Sequence, residues 1–129
     1  MRQKSIDISG FGHGVPIPAA SRVGPILATS AIAGVDRSTG EVPEDIDGQI
    51  KHMFENLKAI LAEAGMDMGD VVKFDVTVTE DGNRKFLDKY WLENYPDAAK
   101  RPARHTGVGE IRGGRLVNCE VLAVAKSLG

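Results

Sequence analysis

Two side chains in this 129-residue sequence are placed where ordinary folding does not ask for them. Arg104 opens a strand-like run directly after Pro102-Ala103. Glu120 sits inside a second run, between Cys119 and Val121. An arginine is an always-charged planar fork that suits a carboxylate. A glutamate in an apolar strand is costly to bury unless it has a partner or a task. The Gly113-Gly114 turn between the two runs brings them side by side. Arg104 therefore reads either as a clamp for a substrate carboxylate or as half of a structural ion pair with Glu120. Glu120 reads either as a water-holding, proton-passing group or as half of a buried salt bridge at a subunit interface.

Other chemistry finds little support. His13, His52 and His105 are scattered without metal-ligand spacing, so no metal is expected. Cys119 is the sole cysteine, which rules out an internal disulfide and a cysteine-based metal site. Strand parity puts Cys119 opposite to Glu120, buried and inert. Gly10 to Gly14 is glycine-rich but lacks the Gly-Lys-Ser/Thr ending and the helix of a phosphate loop. No nucleophile-elbow pattern occurs. Tyr90 and Trp91 read as core rather than as a stacking platform.

The elements that must position Arg104 and Glu120 follow from periodicity. Lys4 to Ser9 alternates weakly and predicts a first strand. The segment around Pro16 and Pro18 stays extended, and Val23-Gly24-Pro25 turns. Ile26 to Val35 reads as one buried strand with Ser30 near its centre. After a turn over 36–42, Ile46, Ile50, Met53, Phe54, Leu57, Ile60, Leu61 and Ala64 share one helical face. Asp45 caps that helix and Gly65 ends it; Gly48 inside it marks close packing. Val72, Phe74, Val76 and Val78 alternate with Lys73, Asp75, Thr77 and Thr79, a strand. Phe86, Leu87, Tyr90, Trp91 and Tyr95 mark a second helix, closed by Pro96. The expected fold class is α+β: a mixed sheet of about six strands with two helices on one face. The other face stays bare, with Val121 and Ala123 beside Thr77 and Asn118, which invites oligomerisation.

The length fits one domain, residues 1–129. A formal net charge of −2 leaves no electrostatic footprint for nucleic acid. No long apolar run suggests a signal peptide or a membrane span. One cysteine fits a reducing, cytoplasmic setting.

Pro102-Ala103-Arg104 followed by a strand with Glu120-Val121 resembles the signature of the RidA/YjgF family of enamine and imine deaminases. The resemblance extends over most of the chain: Ala28-Thr29-Ser30, Thr39-Gly40-Glu41-Val42-Pro43, Ala64-Gly65-Met66 and Gly69-Asp70-Val71-Val72-Lys73 occur in the family's order. It implies a chorismate-mutase-like fold and a homotrimer with a site in each cleft between subunits. It implies hydrolysis of an imine to a 2-keto acid and ammonia, without a cofactor. Arg104 would hold the carboxylate of a small imino or keto acid, and Glu120 would orient the water. Ser30 and Ala31 would line the pocket. Thr106 would contribute its backbone amide, where well-known members carry cysteine.

The chain departs from that pattern at the pocket wall. Ile17 stands where the family has tyrosine, Ala31 where it has glycine and Asp88 where it has asparagine. The loop Phe11–Gly14 has no counterpart. A more apolar wall points to a bulkier imino acid, with a pathway-specific deaminase of the aminomuconate type as a variant. The rival class is a binding protein that captures a 2-keto acid without turnover. An RNA-related role, also ascribed to the family, conflicts with the acidic balance.

Overall fold

A computed structural model describes residues 2–12 and 14–127, so His13 lies outside the described residues. The chain forms β1 (Gln3–Ile6), β2 (Ala20–Val23), β3 (Ile26–Thr29), β4 (Ile32–Ala33), α1 (Ile46–Glu63), β5 (Val71–Val78), α2 (Leu87–Asn94), β6 (Ala103–Val108) and β7 (Val117–Val124). The sheet order is β1-β2-β3-β7-β5-β6, with the short β4 also on β7. Among the described strands only β5 and β6 run parallel; the other pairs are antiparallel. The α+β expectation holds: two helices cover one face of a mixed sheet.

The core lies between that face and α1. Ile50, Met53, Leu57, Ile60 and Leu61 are fully buried against Leu27, Ile32, Phe74, Val78, Val117 and Cys119. Truncating Leu57 to alanine would cost about 2–5 kcal/mol. Asp45 caps α1 by accepting from the Gly48 amide at 2.8 Å. A Cβ on Gly48 would meet that carboxylate at 2.9 Å and Pro43 at 3.1 Å, so the glycine belongs to the cap. Ala64 closes the helix, and Gly65 follows at φ 73°.

Two buried polar side chains on α1 tie the helix to the sheet. Asn56 donates to the carbonyls of Ala33 and Val35, at 3.0 and 2.9 Å. Gln49 donates to the carbonyls of Pro43 and Gly114 and accepts from the Leu116 amide at 2.7 Å. These bonds satisfy main-chain groups at the junction of helix and sheet, the Ala33 carbonyl in a fully buried setting.

Several expectations are corrected. Arg104 and Glu120 are not side by side, because β5 inserts between β6 and β7. The Ile26–Val35 run is not one buried strand: it breaks at Ser30-Ala31 into β3 and β4, and Ile26 is exposed. Val72 faces outward while Val71 is buried, since an irregular register between Val71 and Lys73 shifts the alternation. Val121 and Ala123 share parity with Cys119 and pack toward the helices, not on the bare face. That face instead carries Asn118, Glu120, Leu122 and Val124. Phe86 is exposed at the end of a 3-10 turn and does not join the core. Cys119 is fully buried, and burial, then the charge of Glu120, pushes its thiol up beyond the usual range.

Candidate functional site

The sequence-predicted site residues fall into two groups on one chain. The first forms at the free edge of the sheet. β6 pairs only with β5 among the described strands, matching Arg104 to Phe74 and Thr106 to Val76. Phe74 and Val76 are buried under the helices, so Arg104 and Thr106 emerge on that same face. Here α2 supplies the support. The Arg104 guanidinium carbon lies 4.7 Å from the centre of the Trp91 ring. Trp91 meets Phe74 edge-on at 5.4 Å and Tyr95 at 4.9 Å, which fixes the ring under the cation. Asp88 stands 3.5 Å from Arg104 Nη2 and is itself largely exposed, a long and weak contact. The Arg104 side chain is 27% exposed. It is thus held flat by an aromatic face while its fork stays reachable.

Thr106 contributes through its main chain. Its carbonyl accepts from Arg84 Nη1, and Arg84 is anchored in turn to Asp81 at 2.6 Å. A residue's N–H and C=O point to the same side of a strand. The Thr106 amide therefore points off the sheet edge beside Arg104, away from β5. His105 pairs with Asp75 and faces the uncovered side, as parity predicts.

The second group lies on the uncovered face. Glu120 pairs with Asp75 on one side. On the other side, β7 pairs Leu122 with Ala28 and Cys119 with Ile32. Thr29, Ser30 and Ala31 thus oppose only Val121 and Glu120, a bulge-like widening next to Glu120. The Thr29 hydroxyl accepts from the Val121 amide at 3.0 Å and pins the widening. Ser30 donates through its hydroxyl to the Pro18 carbonyl at 2.8 Å and through its amide to Ala19. These bonds bring the segment after Ile17 alongside Ser30-Ala31. Ile17 itself is exposed and closes a tight turn onto the Val15 carbonyl.

One chain therefore brings Arg104, Thr106 and Asp88 together, and separately Glu120, Ser30, Ala31 and the Ile17 segment. It does not bring the two groups together. An ion pair between Arg104 and Glu120 of the same chain is excluded, since they leave opposite faces of the sheet. Trp91 is a neighbour of Arg104 that sequence reasoning placed in the core. Its spacing three residues after Asp88, on a helix following an exposed face, was the available signal. Among the described residues, no cluster of three or more His, Cys, Asp or Glu is placed to hold a metal ion. No helix among the described residues is long and apolar enough to cross a membrane.

The model of the family described as endoribonuclease L-PSP matches residues 16–125. The chain belongs to this family. It is a RidA/YjgF-type member, as its motifs imply. TdcF of Escherichia coli K12 is 38% identical over 103 residues, 80% of either chain. A solved structure of E. coli TdcF with bound serine superposes at a TM-score of 0.83, with 25% identity over 95% of this chain and 99% of that one. The 2-iminobutanoate/2-iminopropanoate deaminase of Salmonella typhimurium is 41% identical over 58 residues, 45% of either chain. The crystal structure of RidA from an Antarctic Psychrobacter superposes at a TM-score of 0.86, with 28% identity over 94% of this chain and 98% of that one.

Proposed function

We propose that this RidA-type protein is a hydrolytic deaminase of reactive enamine and imine intermediates, working as a homotrimer with its site in each cleft between subunits. The observation that carries the reading is the division of the site. A supported, reachable guanidinium sits at a free sheet edge, and a carboxylate sits on the uncovered face of the same sheet. Two copies packed edge to face complete what one chain leaves apart. The Salmonella relative is named for deamination of small 2-imino acids, and TdcF has been solved with a bound amino acid. Both support a small carboxylate ligand. The family's description speaks of an endoribonuclease, but a net charge of −2 offers no basic stripe for a nucleic-acid backbone.

In this reading the Arg104 fork holds the substrate carboxylate, with the Thr106 amide as a second donor. Glu120 of the adjoining copy positions a water against the imine carbon. Water oxygen bonds to that carbon while a proton reaches the imine nitrogen, giving a carbinolamine. Glu120 then takes the hydroxyl proton and passes it to the amino nitrogen, the C–N bond breaks as the carbonyl forms, and ammonia departs from the 2-keto acid. Orientation and acid/base help suffice; the latter is worth about 10²–10⁴-fold.

The test is ammonia release from imines generated in situ by an amino-acid oxidase. Wild type should accelerate release, and Arg104→Ala should lower kcat/KM by about 100-fold or more, the cost of losing a charge-assisted clamp. An Arg104→Ala protein with full activity refutes the assignment. A protein that binds 2-ketobutyrate without releasing ammonia is the rival carboxylate-binding module, which Ile17 in place of a hydroxyl-bearing wall residue favours.

A further inference from the structure

A cavity of about 220 Å³ lies beside Glu120, and none of the steps above uses it. Its lining includes Ala31, from the widened segment opposite Glu120, and Ala33 with Asn118, a cross-strand pair of β4 and β7. Asn118 and Glu120 are two residues apart on β7, so they share a sheet face with their Cα atoms about 7 Å apart. The other walls are the Gly10–Gly12 loop and the turn from Ile111 to Arg115.

Arg115 is the unusual member. Its Nε is buried and has no hydrogen-bond partner among the described residues. Among the described residues no acidic side chain lines the cavity. A buried guanidinium donor without an acceptor is costly, and an incoming anion removes that cost. The position is also rigid. Gln49 bonds the Gly114 carbonyl at 3.2 Å and the Leu116 amide at 2.7 Å, locking the main chain on both sides of Arg115. The facing loop is fixed too: Gly10 has φ 71°, and a Cβ there would lie 2.5 Å from the Arg37 carbonyl. Phe11, Val35 and Ile111 give the cavity apolar walls.

We propose that this cavity binds a second, side-chain carboxylate of the substrate, so that the preferred imines are short dicarboxylic imino acids. The inference rests on the deaminase reading. With the imine carbon at Glu120, the methylene chain runs past Asn118 along the apolar walls. Its distal carboxylate pairs with the Arg115 guanidinium and accepts from the Asn118 amide. The α-carboxylate stays with Arg104 of the adjoining copy.

The experiment compares 2-iminoglutarate with 2-iminopropanoate, each generated in situ, on wild type, Arg115→Met and Arg115→Lys. Wild type should prefer the dianionic imine. Arg115→Met should lower kcat/KM for it by about 10- to 100-fold, the worth of one charge-assisted hydrogen bond, and leave the monoanionic imine within about 2-fold. Arg115→Lys should restore part of the loss. Equal effects on both imines, or none, overturn the proposal. Acetate, tested on wild type beside Arg115→Met, probes a free carboxylate as the alternative occupant: an Arg115-dependent effect confined to 2-iminoglutarate supports the proposal, and an effect on 2-iminopropanoate turnover that Arg115→Met abolishes marks a separate effector and overturns it. If wild type hydrolyses neither imine, the deaminase reading fails first, and calorimetry then decides the cavity. Glutarate binding tighter than butyrate and dependent on Arg115 keeps the cavity as a carboxylate site; equal binding removes it.

Discussion

Arg104 and Glu120 leave opposite faces of one sheet, with Phe74 and Asp75 of β5 standing between their strands. Within a single chain no small substrate reaches both. The side chains that touch the Arg104 guanidinium, Trp91 and Asp88, come from α2, whereas Glu120 lies between Asp75 of β5 and the β3–β4 break. In the proposed mechanism the chemistry is thus divided between two structural units that only association would join.

In the proposed site Trp91 positions Arg104 without bonding to substrate. Replacing it by leucine removes the ring face 4.7 Å from the guanidinium carbon. The cation–π contact at a partly exposed site is worth about 0.5–1 kcal/mol, and loosening the fork adds to that. Trp91→Leu should raise KM for an imino acid by about 3- to 10-fold with a smaller change in kcat. Steady-state kinetics of the variant check this; an unchanged KM would remove Trp91 from the site.

Asp88 sets the opposite pressure. Its carboxylate stands 3.5 Å from Arg104 Nη2, where it competes weakly for the fork that would hold an anionic substrate. Asp88→Asn keeps the size and removes the charge. Affinity for a carboxylate ligand should rise by about 2- to 5-fold, the scale of an exposed ion pair, and the gain should shrink at high salt. Titration of 2-ketobutyrate into both proteins, at two ionic strengths, measures it. Weaker binding by the variant would mean that Asp88 mainly orients Arg104.

Tyr90 ties α2 to the start of α1 by donating to Asp47 Oδ2 at 2.9 Å. Burial, then the Asp47 carboxylate, pushes its hydroxyl up to about 12. The unfolded phenol titrates near 10. Because the folded value is raised, the neutral form stabilises the fold: the contribution is complete below about pH 10 and fades as pH rises through about 12. Denaturant unfolding of wild type should weaken across that window. Tyr90→Phe should be less stable at pH 8 by about 1 kcal/mol and show less of the alkaline decline. An identical decline in the variant would assign it elsewhere.

Much of this was legible in the sequence because periodicity and parity are local. The α1 stripe, the Asp45 cap, the Gly113-Gly114 turn and the opposed directions of Arg104 and His105 all follow from neighbours along the chain. The insertion of β5 between β6 and β7 does not, since strand order depends on packing between distant segments. Leu122 and Val124 hid the orientation of β7 by making both of its faces apolar, so Val121 and Ala123 were assigned outward. Val72 was misplaced because a register irregularity leaves no compositional mark. Gln49 and Asn56 looked like ordinary helix residues; their value lies in main-chain groups far away in sequence. Trp91 read as core because one side of its ring is core, against Phe74 and Tyr95, while the other carries Arg104.

The central claim is that one copy supplies Arg104 and its neighbour supplies Glu120. Arg104→Ala and Glu120→Gln proteins, each inactive alone, should be mixed, dissociated and reassembled. With random reassembly, both intact residues meet at on the order of one quarter of the clefts, so imine deamination should return to about that fraction of the wild-type rate. A reassembled mixture that stays as inactive as its parents, while wild type treated in the same way recovers, would contradict the shared site.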